Sequence, residues 1–218
     1  MTLLALDTAL SRCSTAVLKD DGTLTALSEE LGRGHAERLA DMVSEVMAEA
    51  GVGFADLKRI AVTVGPGSFT GLRVALSLAR GFAVVWPAEL VGVTTLAAIA
   101  EGARKTAGEN PLAVALPARA GEVYAQLFDP DGAPVGEPEA IEAKTFAERL
   151  PASARLVGAA ADRIAEIRPE LEIVDRTPAP DIASVARLGL SALEGAPMPL
   201  YLKPPDAKPQ TRFRIAHK

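Results

Sequence analysis

The sequence predicts an α/β fold built twice, each half ordered β-β-β-α-β-α-β-α. Three observations predict it. Short apolar runs sit between turn signals, as strands require. Longer stretches of helical periodicity separate the later runs. A strand–turn pattern near the start also recurs about 110 residues further on, without a gap, as an internal duplication would.

In the first half, Leu3–Leu6 is a short apolar run, Ser14–Leu18 follows after a polar turn, and Asp21-Gly22 is a hairpin signal before Thr23–Leu27. Ala36–Ala50 reads as an amphipathic helix. Leu39, Met42, Val43, Val46, Met47 and Ala50 fill one arc, and Glu37, Asp41, Ser44, Glu45, Ala48 and Glu49 the other. Ile60–Val64 reads as a strand ending at Gly65, Phe69–Val85 as a helix, and Leu90–Val93 as a further strand. In the second half, Leu112–Leu116 lies under Thr2–Leu6, Val123–Phe128 under Cys13–Leu18, and Asp131-Gly132 under Asp21-Gly22. A helical segment at Phe146–Leu150, strands at Arg155–Val157 and Leu171–Val174, and a helix over Ile182–Leu193 complete it. Gly102–Pro111 (GARKTAGENP) reads as the linker. Two unequal lobes are expected. Residues 1–106 form the larger, and residues 107–218 the smaller, with a C-terminal helix and an extended basic tail. This order is that of the actin and sugar-kinase (ASKHA) superfamily.

Composition agrees with a closely packed α/β core. Of 218 residues, 49% are hydrophobic but only 4% aromatic, so alanine and leucine carry the burial. A net charge of −5 argues against a chain whose main task is gripping nucleic-acid phosphates unaided. The one cysteine, Cys13, excludes an intramolecular disulfide and fits a reducing cytoplasm. The start, MTLLALDT, has no basic region and meets Asp7 too early for a signal peptide, and no apolar run is long enough for a membrane helix.

The stretch VTVGPGSFTGLR, Val62 to Arg73, has the ingredients of a phosphate cradle: a strand, a glycine turn and a helix start. It misses each catalytic pattern. No lysine lies between Lys58 and Lys105 to make a P-loop, Gly65, Gly67 and Gly71 are spaced G-x-G-x-x-x-G, and Ser68 is flanked by Pro66 and Thr70 rather than glycines. A rigid corner with Ser68 as N-cap accounts for the same residues. In the actin superfamily each half offers a carboxylate and a small-residue turn to the metal and phosphates of a nucleotide. The first half has Asp7 and Thr8 there, with Gly65, Gly67 and Ser68 at the turn; the second half has Pro117 in the register of Asp7. A proline can neither ligate a cation nor donate an N–H. The site is therefore read as a vestigial nucleotide or anion site, with no cofactor expected. The alternative is a small ATPase or kinase of the same superfamily.

Other chemistries find little support. His35 is followed four residues on by Leu39, so no H-x-x-x-H metal pair exists, and no catalytic or metal residues are assigned. Glu122 is either functional or a polar strand start. The end of the chain, from Tyr201, carries Lys203, Lys208, Arg212, Arg214 and Lys218 against Asp206, and fits either an RNA-phosphate contact or a solvated terminus.

The helix Phe69–Val85 is the most informative element. Arg73, Ser77, Arg80 and Val84 form one narrow stripe; Val74, Leu78, Phe82 and Val85 form one apolar face, and Phe69, Leu72 and Leu76 another, with Ala75, Ala79 and Ala83 between or beside them. A helix covering one side of a sheet needs one apolar face. Two faces point either to a docking surface for another protein or to a helix covered by the C-terminal helix of its own fold.

The stretches LLALDTALSRCSTAVL, GHAERLADMV, VTVGPGSFTGLRVALSLARGFA, VGVTTLAAIA, ARAGEVYAQLF and PLYLKPP together resemble the TsaB (YeaZ) family, from Leu3 to about Pro205. The segment GPGSFTGLR is the most specific of them. The resemblance implies an actin-like, two-lobed fold and a non-catalytic subunit of the bacterial machinery that makes N6-threonylcarbamoyladenosine in tRNA. It implies pairing with the catalytic paralogue TsaD, action with the ATPase TsaE, tRNA contact through the complex, and a homodimer when alone. The implied partner-binding residues lie on the two N-lobe helices: His35, Arg38, Leu39, Met42, Val46, Leu72, Ala75, Leu76, Ala79 and Ala83. The paralogue's metal-binding histidine pair corresponds here to His35 and Leu39. Where the family often has Asp-Ala-Arg, this chain has Pro117-Ala118-Arg119, which weakens residual nucleotide chemistry rather than pairing.

Overall fold

The computed structural model describes residues 1–192 and 195–203. The first half forms β1 (Leu3–Asp7), β2 (Arg12–Leu18), β3 (Leu24–Glu30), α1 (His35–Ala50), β4 (Arg59–Gly65), α2 (Phe69–Val85), β5 (Glu89–Thr94) and α3 (Thr95–Ala107). The second forms β6 (Leu112–Pro117), β7 (Glu122–Phe128), β8 (Pro134–Glu142), α4 (Ala143–Arg149), β9 (Arg155–Val157), α5 (Ala161–Ala165), β10 (Ile173–Asp175) and α6 (Ile182–Ser191). The sheets run β3-β2-β1-β4-β5 and β8-β7-β6-β9-β10, so the duplication read from the sequence holds strand for strand. Within the second hairpin the pairing differs by one residue from the ungapped repeat: Asp7 pairs opposite Ser14, whereas Leu116 pairs opposite Tyr124 and Pro117 opposite Val123, so Leu116 rather than Pro117 stands in the place of Asp7.

Alternation along the central strands sorts the core into layers. Leu4, Leu6, Ile60 and Val62 face α1 and α2, meeting Leu39, Met42, Val46, Ala75, Leu76 and Ala79. Leu3, Ala5 and Ala61 face the other way, onto Ile182, Val185 and Ala186 of α6. In the second sheet, Ala113 and Ala115 face α4 and α5, while Leu112, Val114 and Leu116 face Leu96, Ile99, Ala100, Ala103 and Ala107 of α3. The third helix of each half therefore covers the sheet of the other half. Arg59 fastens α6 in this place, giving hydrogen bonds to the carbonyls of Gly189, Leu190 and Ala192 at the helix's C-terminal end and pairing with Glu89.

Some expectations need correction. Most of Gly102–Pro111 is helical, because Ala103 and Ala107 continue the buried side of α3, and the connection is only 108–111. The C-terminal helix does not belong to the second lobe alone, since its apolar side is buried on the first sheet. Nor does it cover α2, which lies on the opposite face of that sheet. The tenth strand starts at Ile173, two residues later than read, because the amide of Leu171 closes a turn onto Arg168. Leu193 and the basic residues from Lys208 onward lie outside the described residues. Among the described residues no helix is long and apolar enough to cross a membrane.

The start of α2 is the tightest joint in the first lobe. Ser68 caps the helix, accepting from the Gly71 amide at 3.2 Å, and its own N–H donates to the Ala9 carbonyl at 2.7 Å. A Cβ on Gly67 would lie 2.3 Å from the Ala9 oxygen, and one on Gly71 2.0 Å from the Thr8 oxygen. Thr8 reaches into the helix, its hydroxyl donating to the Gly71 carbonyl at 2.6 Å and accepting from the Ala75 amide at 3.2 Å. Replacing Gly71 by Ala should therefore destabilise the protein by about 3 kcal/mol through overpacking against backbone. In the same helix, Gly81 has nothing within 4 Å of a new Cβ. Gly81→Ala should stabilise by roughly 0.5–1 kcal/mol. Urea unfolding of both variants checks the pair, and equal effects would contradict the joint.

Candidate functional site

Two concave regions flank the N-terminal half of α2. The larger, about 730 Å³, lies between the lobes and is bordered by Gly67, Ser68, Arg119, Tyr124, Tyr201 and Lys203 among others. The second, about 620 Å³, is an open groove between α1 and α2, lined by Ala36, Leu39, Ala40, Phe69, Thr70, Arg73, Val74, Ser77 and Leu78.

The interlobe cleft presents few of the groups that the sequence assigned to a nucleotide. Asp7 and Thr8 are completely buried, and Gly65 is buried with them. The Asp7 Oδ1 accepts from Thr63 Oγ1 at 2.6 Å and from the Ala9 amide at 3.0 Å, which turns the carboxyl inward. Of the five residues of the expected vestigial site, Gly67 and Ser68 alone border the cleft. The Ser68 amide, which a phosphate would need, is already bonded to Ala9. Across the cleft, Pro117 lines the wall and offers neither a carboxylate nor an N–H. Among the described residues no group of three or more His, Cys, Asp or Glu could hold a metal ion.

The groove is built differently. Leu39 closes its floor, Val74 and Leu78 are half-buried along one wall, and Ala36 and Ala40 are exposed small residues on the other. Arg73 is the one charged residue among those lining it, with its guanidinium carbon 3.7 Å from the centre of the Phe69 ring. Arg38 lies beside this region but is engaged within the fold, bonded to Glu29 on β3 and Glu45 on α1. Those hydrogen bonds hold both carboxyls below their usual range.

The residues expected to dock a partner lie mostly on the sheet-facing sides of α1 and α2. Leu39, Met42, Val46, Leu72, Ala75, Leu76 and Ala79 are all at most 3% exposed, packed on the chain's own sheet, so a partner cannot reach them except for the edge of Leu39. His35 and Ala83 are half-buried, and neither lines the groove. The His35 Nε2 is buried without a hydrogen-bond partner among the described residues. The other apolar face of α2, with Val74 and Leu78, is the half-exposed one. Phe82 from that face instead packs with Phe54 and Trp86. The spacing had separated the two faces. The sheet prefers the one with Ala75 and Ala79, because small residues let the helix lie close. Cys13 is buried, and burial, followed by the charge of Asp7, pushes its thiol up to about 11, which leaves it unreactive.

The architecture is that of the actin-like α/β proteins. A solved structure described as the activator of the 2-hydroxyisocaproyl-CoA dehydratase from Clostridium difficile, with bound ADPNP, shares that fold at a TM-score of 0.50 and 12% identity, covering 88% of this chain and 94% of that one. Closer likeness narrows the class. YeaZ from Pseudomonas aeruginosa matches at a TM-score of 0.78 and 27% identity, over 92% of this chain and 100% of that structure. The family model described as TsaD, tRNA N6-adenosine threonylcarbamoyltransferase, matches residues 27–167. The tRNA threonylcarbamoyladenosine biosynthesis protein TsaB of Escherichia coli (strain K12) is 40% identical over 124 residues, 57% of this chain and 53% of that protein. The matched stretch thus spans about half the length of that relative. An uncharacterised protein of Mycobacterium tuberculosis (strain H37Rv) is 34% identical over 212 residues, 95% and 94% of the two chains. The chain belongs to the TsaB/YeaZ family, within the wider family that the TsaD model describes.

The buried Asp7 has a measurable consequence. Burial raises its pKa from 3.8 to about 6, and the hydrogen bonds from Thr63 and Ala9 with the nearby His35 and Arg12 only partly offset this. The folded chain holds this proton more tightly than the unfolded chain. Its destabilising effect is absent below about pH 4, grows as pH rises through 6, and then levels off. At 1.36 kcal/mol per pKa unit the full effect is about 3 kcal/mol. The stability of Asp7→Asn relative to the parent should therefore improve by up to that amount between pH 4 and pH 8. A difference that does not change with pH, in denaturant titrations at both, would contradict the assignment.

Proposed function

We propose that this protein is a non-catalytic subunit in the biosynthesis of threonylcarbamoyladenosine in tRNA, and that its α1–α2 groove docks a catalytic paralogue of the TsaD type. The observation that carries this reading is the contrast between the two concave regions. The cleft that would hold a nucleotide has its carboxylate turned inward and its turn amide bonded within the fold, whereas the groove remains open and apolar. Membership of a family whose model carries the transferase's name supports a partner with the same duplicated fold. Such a partner would have its own pair of N-lobe helices, which packs against this pair around an apolar centre with a polar rim. The same surface accounts for a homodimer when the partner is absent. In this reading the protein acts in the cytoplasm with the ATPase TsaE, and tRNA is contacted through the assembled complex.

A long side chain in the groove tests the docking. Ala40 and Ser77 are both exposed, so arginine at either position should leave the melting temperature within a few degrees of the parent. The Ala40→Arg and Ser77→Arg variants should each lose at least tenfold in affinity for the TsaD-type protein of the same organism, and should not self-associate. Variants that fold and bind that protein as tightly as the parent, measured by calorimetry or size-exclusion chromatography, would move the docking surface elsewhere.

A further inference from the structure

The described chain ends in a strap, residues 197–203, that ties four separate places together. The Pro197 carbonyl accepts from Arg80 Nη2 at 2.9 Å. The Leu200 amide donates to the Val64 carbonyl at 2.7 Å, at the end of β4, and the Leu200 carbonyl lies 2.9 Å from where a Cβ on Gly65 would stand. Tyr201 packs its ring 5.3 Å from that of Phe69, and its hydroxyl accepts from Arg73 Nε at 3.0 Å. Lys203 forms an ion pair with Glu122 on the second lobe. The strap thus runs against the chain direction of α2, from Arg80 back to Phe69, and crosses the cleft mouth to the other lobe.

Phe69 and Thr70 border both concave regions: one side of this turn faces the cleft, the other the groove. Arg73 stands at the groove's rim and is held by Phe69 and Tyr201 together. A long arginine side chain on an exposed helix face would otherwise sample many rotamers, at an entropic cost on binding. Tyr201 removes that freedom before a partner arrives.

We propose that Tyr201 is a positioning residue for the docking groove. Through it the strap fixes the Arg73 guanidinium where a partner helix with an apolar face and one carboxylate would meet it, which couples docking to closure of the strap over the cleft. The coupling rests on the docking reading above. It is reciprocal, as any linkage between two equilibria is. A seated carboxylate holds Arg73, Arg73 holds Tyr201, and Tyr201 holds the Leu200 amide on Val64.

The test uses the full chain and the TsaD-type partner. Tyr201→Ala and Tyr201→Phe, the second keeping the ring but losing the acceptor for Arg73, should each weaken docking about tenfold, the scale of one charge-assisted hydrogen bond. Arg73→Ala should weaken it as much, and Arg73→Ala with Tyr201→Ala no more than Arg73→Ala alone, since Tyr201 acts through Arg73. Hydrogen exchange at the Leu200 amide should accelerate in Tyr201→Ala and slow when the partner binds the parent. Lys203→Glu should speed the same exchange, and adding Glu122→Lys should restore it. If Ala40→Arg abolishes docking while Tyr201→Ala leaves it unchanged, or if the two losses at Tyr201 and Arg73 add, the coupling is wrong and the groove stands. If Ala40→Arg has no effect on docking, the groove reading falls, and the coupling with it.

Discussion

Everything on the outer side of the first sheet depends on how the Thr8-Ala9 turn meets the start of α2. The Thr8 hydroxyl bridges the Gly71 carbonyl and the Ala75 amide, and the Ala9 carbonyl takes the Ser68 N–H. Both contacts need backbone at van der Waals distance, which only glycine at 67 and 71 permits. The joint sets the direction in which α2 leaves the sheet. It thereby decides which residues of α2 lie on the sheet, which line the groove with α1, and where the strap runs. The same contacts occupy the Thr8 hydroxyl and the Ser68 amide, two groups that a phosphate would use.

The second constraint is the exchange of third helices between halves. With α3 on the second sheet and α6 on the first, neither lobe buries its inner face without the other. Arg59 and the strap residue Lys203 add polar ties across the same division. A hinge opening the cleft widely would have to strip apolar helix faces from their sheets. This arrangement ties the two lobes together through apolar helix–sheet packing.

Much of the fold was legible because its signals are local and periodic. The repeat at about 110 residues follows from strand and turn residues in register, but the one-residue shift in the pairing of the second hairpin, which puts Leu116 rather than Pro117 in the place of Asp7, was not legible. The helix swap was not legible. The apolar stripe of α6 says that it must be buried, but says nothing of which sheet buries it, and GARKTA looks like a linker until Ala103 and Ala107 meet the second sheet. The side of α2 that the sheet buries was half legible. Helical spacing divided α2 into two apolar faces, yet choosing between them needed the close approach that Ala75 and Ala79 allow. Tyr201 stood only within the family stretch PLYLKPP, and nothing local ties it to Phe69 and Arg73, 132 and 128 positions away.

The central claim is that the glycine corner is a packing joint rather than an anion cradle, and Thr8 tests it most directly. Thr8→Val keeps the shape and removes the hydroxyl, leaving the Gly71 carbonyl and Ala75 amide without that partner, whereas Thr8→Ser keeps it. The measurement is the unfolding free energy of both variants in urea, with and without added phosphate. The account predicts that Thr8→Val loses about 2 kcal/mol, that Thr8→Ser recovers most of it, and that phosphate changes neither. Thr8→Val as stable as the parent, with a phosphate-dependent gain in the parent that the variant lacks, would contradict it.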